Sequence, residues 1–403
     1  MMTESCYNSH IIHIRGVLMK KLVYSKKTVF EGIAQNPSLL GFGCMRLPVL
    51  SKDKPDIDEE QAYKMIDYAY THGVNYFDTA YPYHNGLSEI FIGKALKKYP
   101  RESFYLASKM PSWLIQSRED AVKYFNEQLL KCQVSYFDYY LCHALNRNSF
   151  KAYLLPGVMD FLYQMKEEGK IKHLGFSFHD TPEILDQIIH TFKWDFVQIQ
   201  MNYLDWSFQD AKKQYEIIEQ YGVPCIVMEP VRGGLLATLS EESRKVYLDF
   251  NPKMSVASWA IRYAASKPNV LVVLSGMSNE EQTKDNIQTL TDFSPISDQE
   301  QKMIDQALKI FLENSTVPCT SCQYCLPCTV GIDIPALFKI YNHYLITKYK
   351  GEFIREYEKI VLEKRADQCI SCGECMSNCP QKINIPVRMQ EIVELYQNIK
   401  STT

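Results

Sequence analysis

The strongest constraint on this chain is an eightfold alternation between residues 38 and 275. The short apolar runs SLLGFGCM, VNYFDTA, SFYLASK, FDYYLCH, IKHLGFS, DFVQIQMN, PCIVMEP and NVLVVLSG read as strands. Stretches such as IDEEQAYKMIDYAYTHG, EDAVKYFNEQLLKC and TPEILDQIIHTF lie between them and carry apolar residues at helical spacing. Strands that alternate with helices pair in parallel, because a parallel pair needs a long crossover. Eight such units in one series predict a closed (β/α)8 TIM barrel. An open doubly wound sheet would place a glycine-rich dinucleotide turn after its first strand, and GFGCMRLP does not match G-x-G-x-x-G.

After residue 296 the alternation stops. SDQEQKMIDQALKIFLENS reads as one capped amphipathic helix ended by Pro318. The rest is dominated by cysteine. Of the 13 cysteines, eight lie between Cys319 and Cys379. Cys369, Cys372, Cys375 and Cys379 form C-x2-C-x2-C-x3-C-P, the spacing of a bacterial ferredoxin run for a [4Fe–4S] cluster. Cys319, Cys322, Cys325 and Cys328 form a second run whose last gap is two residues instead of three. Structural zinc is the competing reading, since C-x2-C pairs also bind zinc. Disulfides fit a small secreted scaffold better than a chain of this size. The spacing therefore predicts two [4Fe–4S] clusters with crossed ligation. Cys328 would join Cys369, Cys372 and Cys375, and Cys379 would join Cys319, Cys322 and Cys325. The helical middle, about 334 to 365, is expected to pack on the barrel, and the module to depend on metal for folding.

In a parallel barrel, chemistry sits where the strands end at their carboxyl termini. The second predicted strand ends at Asp78, with Tyr83 just beyond; the third ends at Lys109 and the fourth at His143. A charge at the end of a buried strand is costly unless paired, and Asp78 with Lys109 is the obvious pair. A lysine ammonium beside a tyrosine is expected to lower the phenol's pKa. Such a site can deliver a proton to a carbonyl oxygen while hydride reaches its carbon. Each residue also has a plainer reading. With 27 tyrosines, any one is most often a packing residue. A lone histidine is usually structural, and an aspartate–lysine pair can be a simple ion pair. Four such residues at successive strand ends make those readings jointly weak.

The motifs FDTAYPY–N–G–SE, LASK, DYYLCH, LGFS and VQIQMNY resemble the aldo-keto reductase pattern over about residues 38–311. The resemblance implies an NAD(P)H-dependent oxidoreductase that reversibly reduces an aldehyde or ketone. It implies that Asp78, Tyr83, Lys109 and His143 are the catalytic tetrad, with Tyr83 the general acid. It also implies that Ser177 and Gln198 hold the nicotinamide carboxamide. The loop EPVRGGLL, with Val231, Gly233 and Gly234, would pass near the pyrophosphate, though a plain loop is the alternative. Phe178 stands where many relatives have asparagine. Gly276 and Gln282 occupy positions that carry lysine and arginine in members preferring the phosphorylated cofactor, while Asn286 is kept. NADH is therefore expected to bind at least comparably to NADPH.

The expected organisation is an extension over 1–28, the barrel over 29–311 and a mainly helical ferredoxin-like module over 312–403. Met19 is an alternative start, and residues 1–18 do not read as a signal peptide. A formal net charge of -3 argues against a nucleic-acid binder, and no apolar run is long enough for a membrane helix. The expected location is cytoplasmic. The expected partners are a small carbonyl or alcohol substrate and a redox partner protein. The rival from another class is an electron-transfer or binding protein whose barrel senses nicotinamide without much turnover, and a third reading is a flavin-linked oxidoreductase with FAD or FMN. A hydride carries two electrons, whereas each cluster accepts one.

Overall fold

The structure is a computed structural model that describes residues 12–14, 17–19, 37–51, 56–208, 210–313, 316–347 and 350–401. The question of Met1 against Met19, and most of the expected extension, lie outside the described residues. Within it, β1 (Ile12–Ile14) and β2 (Val17–Met19) pair antiparallel. The chain divides into two compact units, residues 1–230 with 258–296 and residues 231–257 with 297–403.

The first unit holds a closed barrel of eight parallel strands. They are β3 (Leu40–Gly43), β4 (Tyr76–Asp78), β5 (Tyr105–Met110), β6 (Phe137–Leu145), β7 (Ile171–Phe178), β8 (Phe196–Gln200), β9 (Cys225–Met228) and β10 (Val270–Ser275). Closure runs through β10 against β3, where Val273, Leu274 and Ser275 pair with Leu40, Gly41 and Phe42. The predicted eightfold alternation is thus the observed one. The strands are almost wholly buried because helices cover their outer faces and side chains fill their inner ones.

These helices are α1 (Glu59–Thr71), α2 (Ser88–Leu96), α3 (Arg118–Cys132), α4 (Val158–Glu167), α5 (Pro182–Thr191), the one-turn α6 (Asp205–Phe208) and α7 (Ala211–Tyr221). Their starts follow local chemistry: Asp58 caps α1 through the Gln61 N–H, and Ser117 caps α3 through the Asp120 N–H. Next come α8 (Glu241–Phe250), α9 (Val256–Ala265) and α10 (Glu280–Leu290).

Side chains alternate along each strand, so every second residue faces the barrel axis. Tyr76, Ala107, Tyr139, Leu141, Phe196, Ile226, Val272 and Leu274 meet there in one buried cluster. Gly41 makes room for it, since a Cβ at that position would lie 2.6 Å from Leu274 and 2.7 Å from Val272. One pleat further along, the same inward rows carry Asp78, Lys109, His143, Ser177 and Gln198. The floor is aromatic and the rim polar, as a site at the carboxyl end requires.

In the second unit, α8 packs against α11 (Asp298–Glu313), and Ser243 Oγ donates to Ala307 O at 2.7 Å. A capping box starts α11: the Ser297 N–H donates to Glu300 Oε2, and Ser297 Oγ accepts from the Glu300 N–H. Then follow α12 (Ile334–Thr347), α13 (Lys350–Glu358), the one-turn α14 (Glu374–Ser377) and α15 (Ile385–Ser401). Leu337, Phe338 and Tyr341 from α12, Phe353 and Tyr357 from α13, and Met389 and Ile392 from α15 bury one apolar core. The helical middle builds the core of its own module. Its apolar faces find each other because α13 and α15 are both amphipathic and close in sequence.

Candidate active site and cysteine centre

Asp78 ends β4 and Lys109 lies near the end of β5, so the two inward side chains are neighbours on adjacent strands. Lys109 Nζ lies 2.5 Å from Asp78 Oδ1, with side-chain exposures of 1% and 5%. The same ammonium donates to Thr79 O at 2.8 Å and to the Tyr83 hydroxyl at 3.3 Å. Its three N–H donors are thereby directed at three oxygens. Gln198 Nε2 approaches the other Asp78 oxygen at 3.4 Å. Burial raises the Asp78 pKa, opposed by the Lys109 charge and its hydrogen bond.

Tyr83 opens a 3₁₀ turn, Tyr83–Gly86, in which His84 and Asn85 have left-handed backbones at φ 51° and 54°. The half-buried tyrosine also presents its ring face to Lys109, 4.8 Å from the centroid. The expectation of a lowered phenol pKa is not met. Burial pushes it well above the ordinary value, and the charges of Asp78 and Glu229 push the same way. Taking the phenolate out of water outweighs the opposing pull of the Arg46 guanidinium, so the ground state is a protonated phenol.

His143 reaches the site through a backbone irregularity. The pairing of β6 with β7 shifts register between Cys142 and Leu145, and Ala144 sits at φ 52°. A bulge of this kind re-aims side chains. The Ala144 N–H donates to Ser177 Oγ at 2.8 Å, so Ser177 holds the residue next to His143. The imidazole stands edge-on to Tyr83, with centroids 6.1 Å apart, and its Nδ1 is buried without a hydrogen-bond partner. Burial, then Lys109 and His179, lower the His143 pKa well below the usual imidazole range. All four residues singled out from strand ends thus meet in one place.

Several neighbours escaped the sequence reading. His179 has its pKa pushed down to about 4 by burial and by Lys109. Trp113 stacks obliquely 5.4 Å from His143 and is 51% exposed, an apolar wall open to solvent. On the outward face, Gln128 Nε2 donates to Lys109 O at 2.9 Å and to Glu89 Oε1 at 2.5 Å, and Ser108 Oγ donates to Glu89 at 2.6 Å. This buried polar set fixes the Lys109 backbone from behind. The signal for it was present: polar Ser108, Glu89 and Gln128 at positions where helices should cover a strand.

Asn286 Nδ2 donates to Ser275 Oγ at 2.8 Å and is buried. Gln282 Oε1 accepts from the Ser278 N–H at 2.9 Å, while Asn279 caps α10. A Cβ at Gly276 would lie 3.2 Å from the Arg46 side chain, and Arg46 pairs with Glu229 at 3.1 Å. Val231, Gly233 and Gly234 belong to the second compact unit.

None of the eight cysteines of that unit is in a disulfide. Cys319, Cys322, Cys325 and Cys379 line one small hollow, together with Phe338, Gln381, Ile383 and Ile385. Burial raises the Cys319 thiol to about 11, and neighbouring Cys322 and Cys379 add to it. Cys325 is raised to about 12 by burial and by Cys322 and Cys319. Cys375 is raised to about 11 by burial, then by Cys328, Cys369 and Cys372. The sulfurs thus sort into two groups, each with one member from the other run. Among the described residues, no three or more His, Cys, Asp or Glu side chains form a group able to hold a single metal ion. The described residues also contain no helix long and apolar enough to cross a membrane.

Residues 39–309 match the model of the aldo/keto reductase family, and residues 318–384 match that of a 4Fe-4S dicluster domain. The chain belongs to the aldo/keto reductase family of oxidoreductases and carries a C-terminal 4Fe-4S domain. It is 29% identical over 208 residues to a probable aldo-keto reductase 1 of Glycine max, covering 49% of this chain and 57% of that one. It therefore spans little more than half of that relative. It is 26% identical to L-galactose dehydrogenase of Arabidopsis thaliana, covering 70% of this chain and 93% of that enzyme. The fold is shared with an aldo-keto reductase structure from Klebsiella pneumoniae in complex with NADPH, at TM-score 0.58 and 19% identity, covering 73% of this chain and 96% of that one.

Proposed function

We propose that the chain reversibly reduces an aldehyde or ketone at the expense of NAD(P)H, with Tyr83 as general acid. The observation that carries this reading is the buried relay in which one ammonium stands 2.5 Å from the Asp78 carboxylate and 3.3 Å from the Tyr83 hydroxyl. A bound reduced nicotinamide supplies hydride to the carbonyl carbon. Tyr83 holds the proton that the carbonyl oxygen takes up, and its raised pKa keeps that proton in place until charge develops. Lys109 then faces the resulting phenolate in surroundings where water cannot screen the attraction. Asp78 keeps the ammonium fixed. His143, held neutral, orients the carbonyl, and Trp113 walls the approach. Ser177 and Gln198 are the residues we assign to the carboxamide, with Gly276, Gln282 and Asn286 along the adenosine end.

We assign two [4Fe–4S] clusters to the module, with Cys319, Cys322, Cys325 and Cys379 around one and Cys369, Cys372, Cys375 and Cys328 around the other. The shared hollow and the two sets of mutually influencing thiols support this crossed arrangement. Anaerobic iron and sulfide analysis should approach about eight of each per chain. Four of each, unchanged in Cys319→Ser, would leave only the second run as a site.

A specific feature favours a second reading, one-electron exchange with a flavin or a partner protein. Cys372 is exposed and Ile370 beside it is 62% exposed, so one run faces solvent. Spectra of anaerobically purified protein separate the two, since bound flavin absorbs independently of the clusters. The location we propose is the cytoplasm, where thiolate ligands stay reduced. The direct test of the main reading is Tyr83→Phe, which keeps the ring and removes the proton. Turnover should fall by about 10²–10⁴-fold with cofactor affinity retained. Unchanged turnover would overturn the assignment.

A further inference from the structure

Arg232 is one of the largest fully buried side chains of the molecule, at 1% exposure. Its backbone is left-handed at φ 50°, followed by Gly233 at 63° and Gly234 at 93°. Bulky residues rarely adopt that conformation, and those that do cluster at functional positions. A guanidinium stays charged at any pH a protein survives, so this is a fixed buried cation. One of its nitrogens lies 3.4 Å from Gln381 Oε1. Gln381 lies two residues after Cys379 and lines the same hollow as Cys319, Cys322, Cys325 and Cys379.

We infer that Arg232 sets the reduction potential of the cluster held by Cys319, Cys322, Cys325 and Cys379, acting as a positioning and electrostatic residue through Gln381. The inference rests on the two-cluster reading above. Four thiolates around a [4Fe–4S]²⁺ core give a net charge of -2, and one added electron makes it -3. A fixed positive charge in a region shielded from water favours the more negative state. Arg232 therefore raises the potential of this cluster relative to one lined by neutral groups. The other run, with exposed Cys372, relies on solvent for the same purpose. The pair of clusters is tuned by two different means.

The test uses full-length, anaerobically purified protein and dithionite titration followed by electron paramagnetic resonance. Iron and sulfide are counted first. In Arg232→Gln one of the two couples should move to lower potential, by about tenfold in its equilibrium constant or about 59 mV for one electron. The other couple should stay in place. Arg232→Lys, which keeps the charge, should stay near the parent value. Gln381→Glu, which brings a carboxylate into the hollow, should lower the same couple and decides the matter if Arg232→Gln does not load. Both couples unmoved in loaded Arg232→Gln or Gln381→Glu would overturn the inference. So would an equal shift in Arg232→Lys, which would point to packing. About four iron atoms in the parent protein would instead overturn the two-cluster reading, a distinguishable result.

Discussion

In the barrel, Asp78, Lys109 and His143 are delivered by three adjacent strands and are almost sealed from water. In the module, only Cys375 sits on a helix, the one-turn α14, and the other seven cysteines of the two runs lie in loops and turns. The barrel holds Asp78 and Lys109 by regular strand pairing and His143 by a bulge in the same sheet, and the charges of Asp78 and Lys109 compensate each other. The module holds its thiols on irregular chain against a small core of α12, α13 and α15. Preorganisation in the first is thus a property of the polypeptide, whereas in the second it needs whatever the thiols bind.

Removing iron should break the comparison most visibly. Chelation under reducing conditions is expected to abolish hydrogen-exchange protection over 316–333 and 366–384, while α12 and α15 keep part of theirs and the barrel strands keep all of it. Uniform loss across both regions would contradict the contrast.

Within the barrel, Lys109→Met leaves Asp78 buried without its partner. It should cost about 3–5 kcal/mol in denaturant unfolding. Asp78→Asn with Lys109→Met should recover part of that loss. A single-variant cost below about 1 kcal/mol would mean that water reaches the pair.

Acid should act through the histidines. His143 and His179 have lowered pKa values in the fold, the latter about 4, against 6.5 as the reference. Between those values the unfolded chain binds protons that the folded chain refuses, so their stabilisation is present above pH 6.5 and lost as pH falls. The raised carboxyls of Asp78, Glu89 and Asp138 act in the opposite sense. The useful readout is therefore a difference. A His143→Gln, His179→Gln protein should lose less Tm than the parent between pH 7 and 5. Parallel curves would contradict this.

The smallest effect concerns cofactor choice. The first turn of α10 carries Glu280 and Glu281. Arg46, beside Gly276, is already paired with Glu229. Fluorescence titration should give Kd values for NADH and NADPH within about tenfold, since Arg46 and, on α10, Lys284 are each already paired with a carboxylate. A strong preference for NADPH would show that Arg46 leaves Glu229 on binding.

Much of the barrel was readable because parallel strands covered on both faces are continuous apolar runs, and polar residues ending those runs stand out. Asp78, Lys109 and His143 stood out in that way and Tyr83 lay just beyond, while their grouping as a catalytic set came from the family resemblance. The bulge at Ala144 was not readable, since it depends on Ser177, 33 residues away. The Arg232–Gln381 contact spans 149 residues and leaves no local pattern. The direction of the Tyr83 pKa was missed because pairwise charge is visible in sequence and desolvation is not.

The most direct test of the central claim follows deuterium from C4 of the reduced nicotinamide into an aldehyde or ketone, under anaerobic conditions. The wild-type protein should yield an alcohol carrying the label on its carbinol carbon, and Tyr83→Phe should yield almost none. Washing out of the label into solvent, or equal labelling by both proteins, would contradict direct carbonyl reduction with Tyr83 as the proton donor.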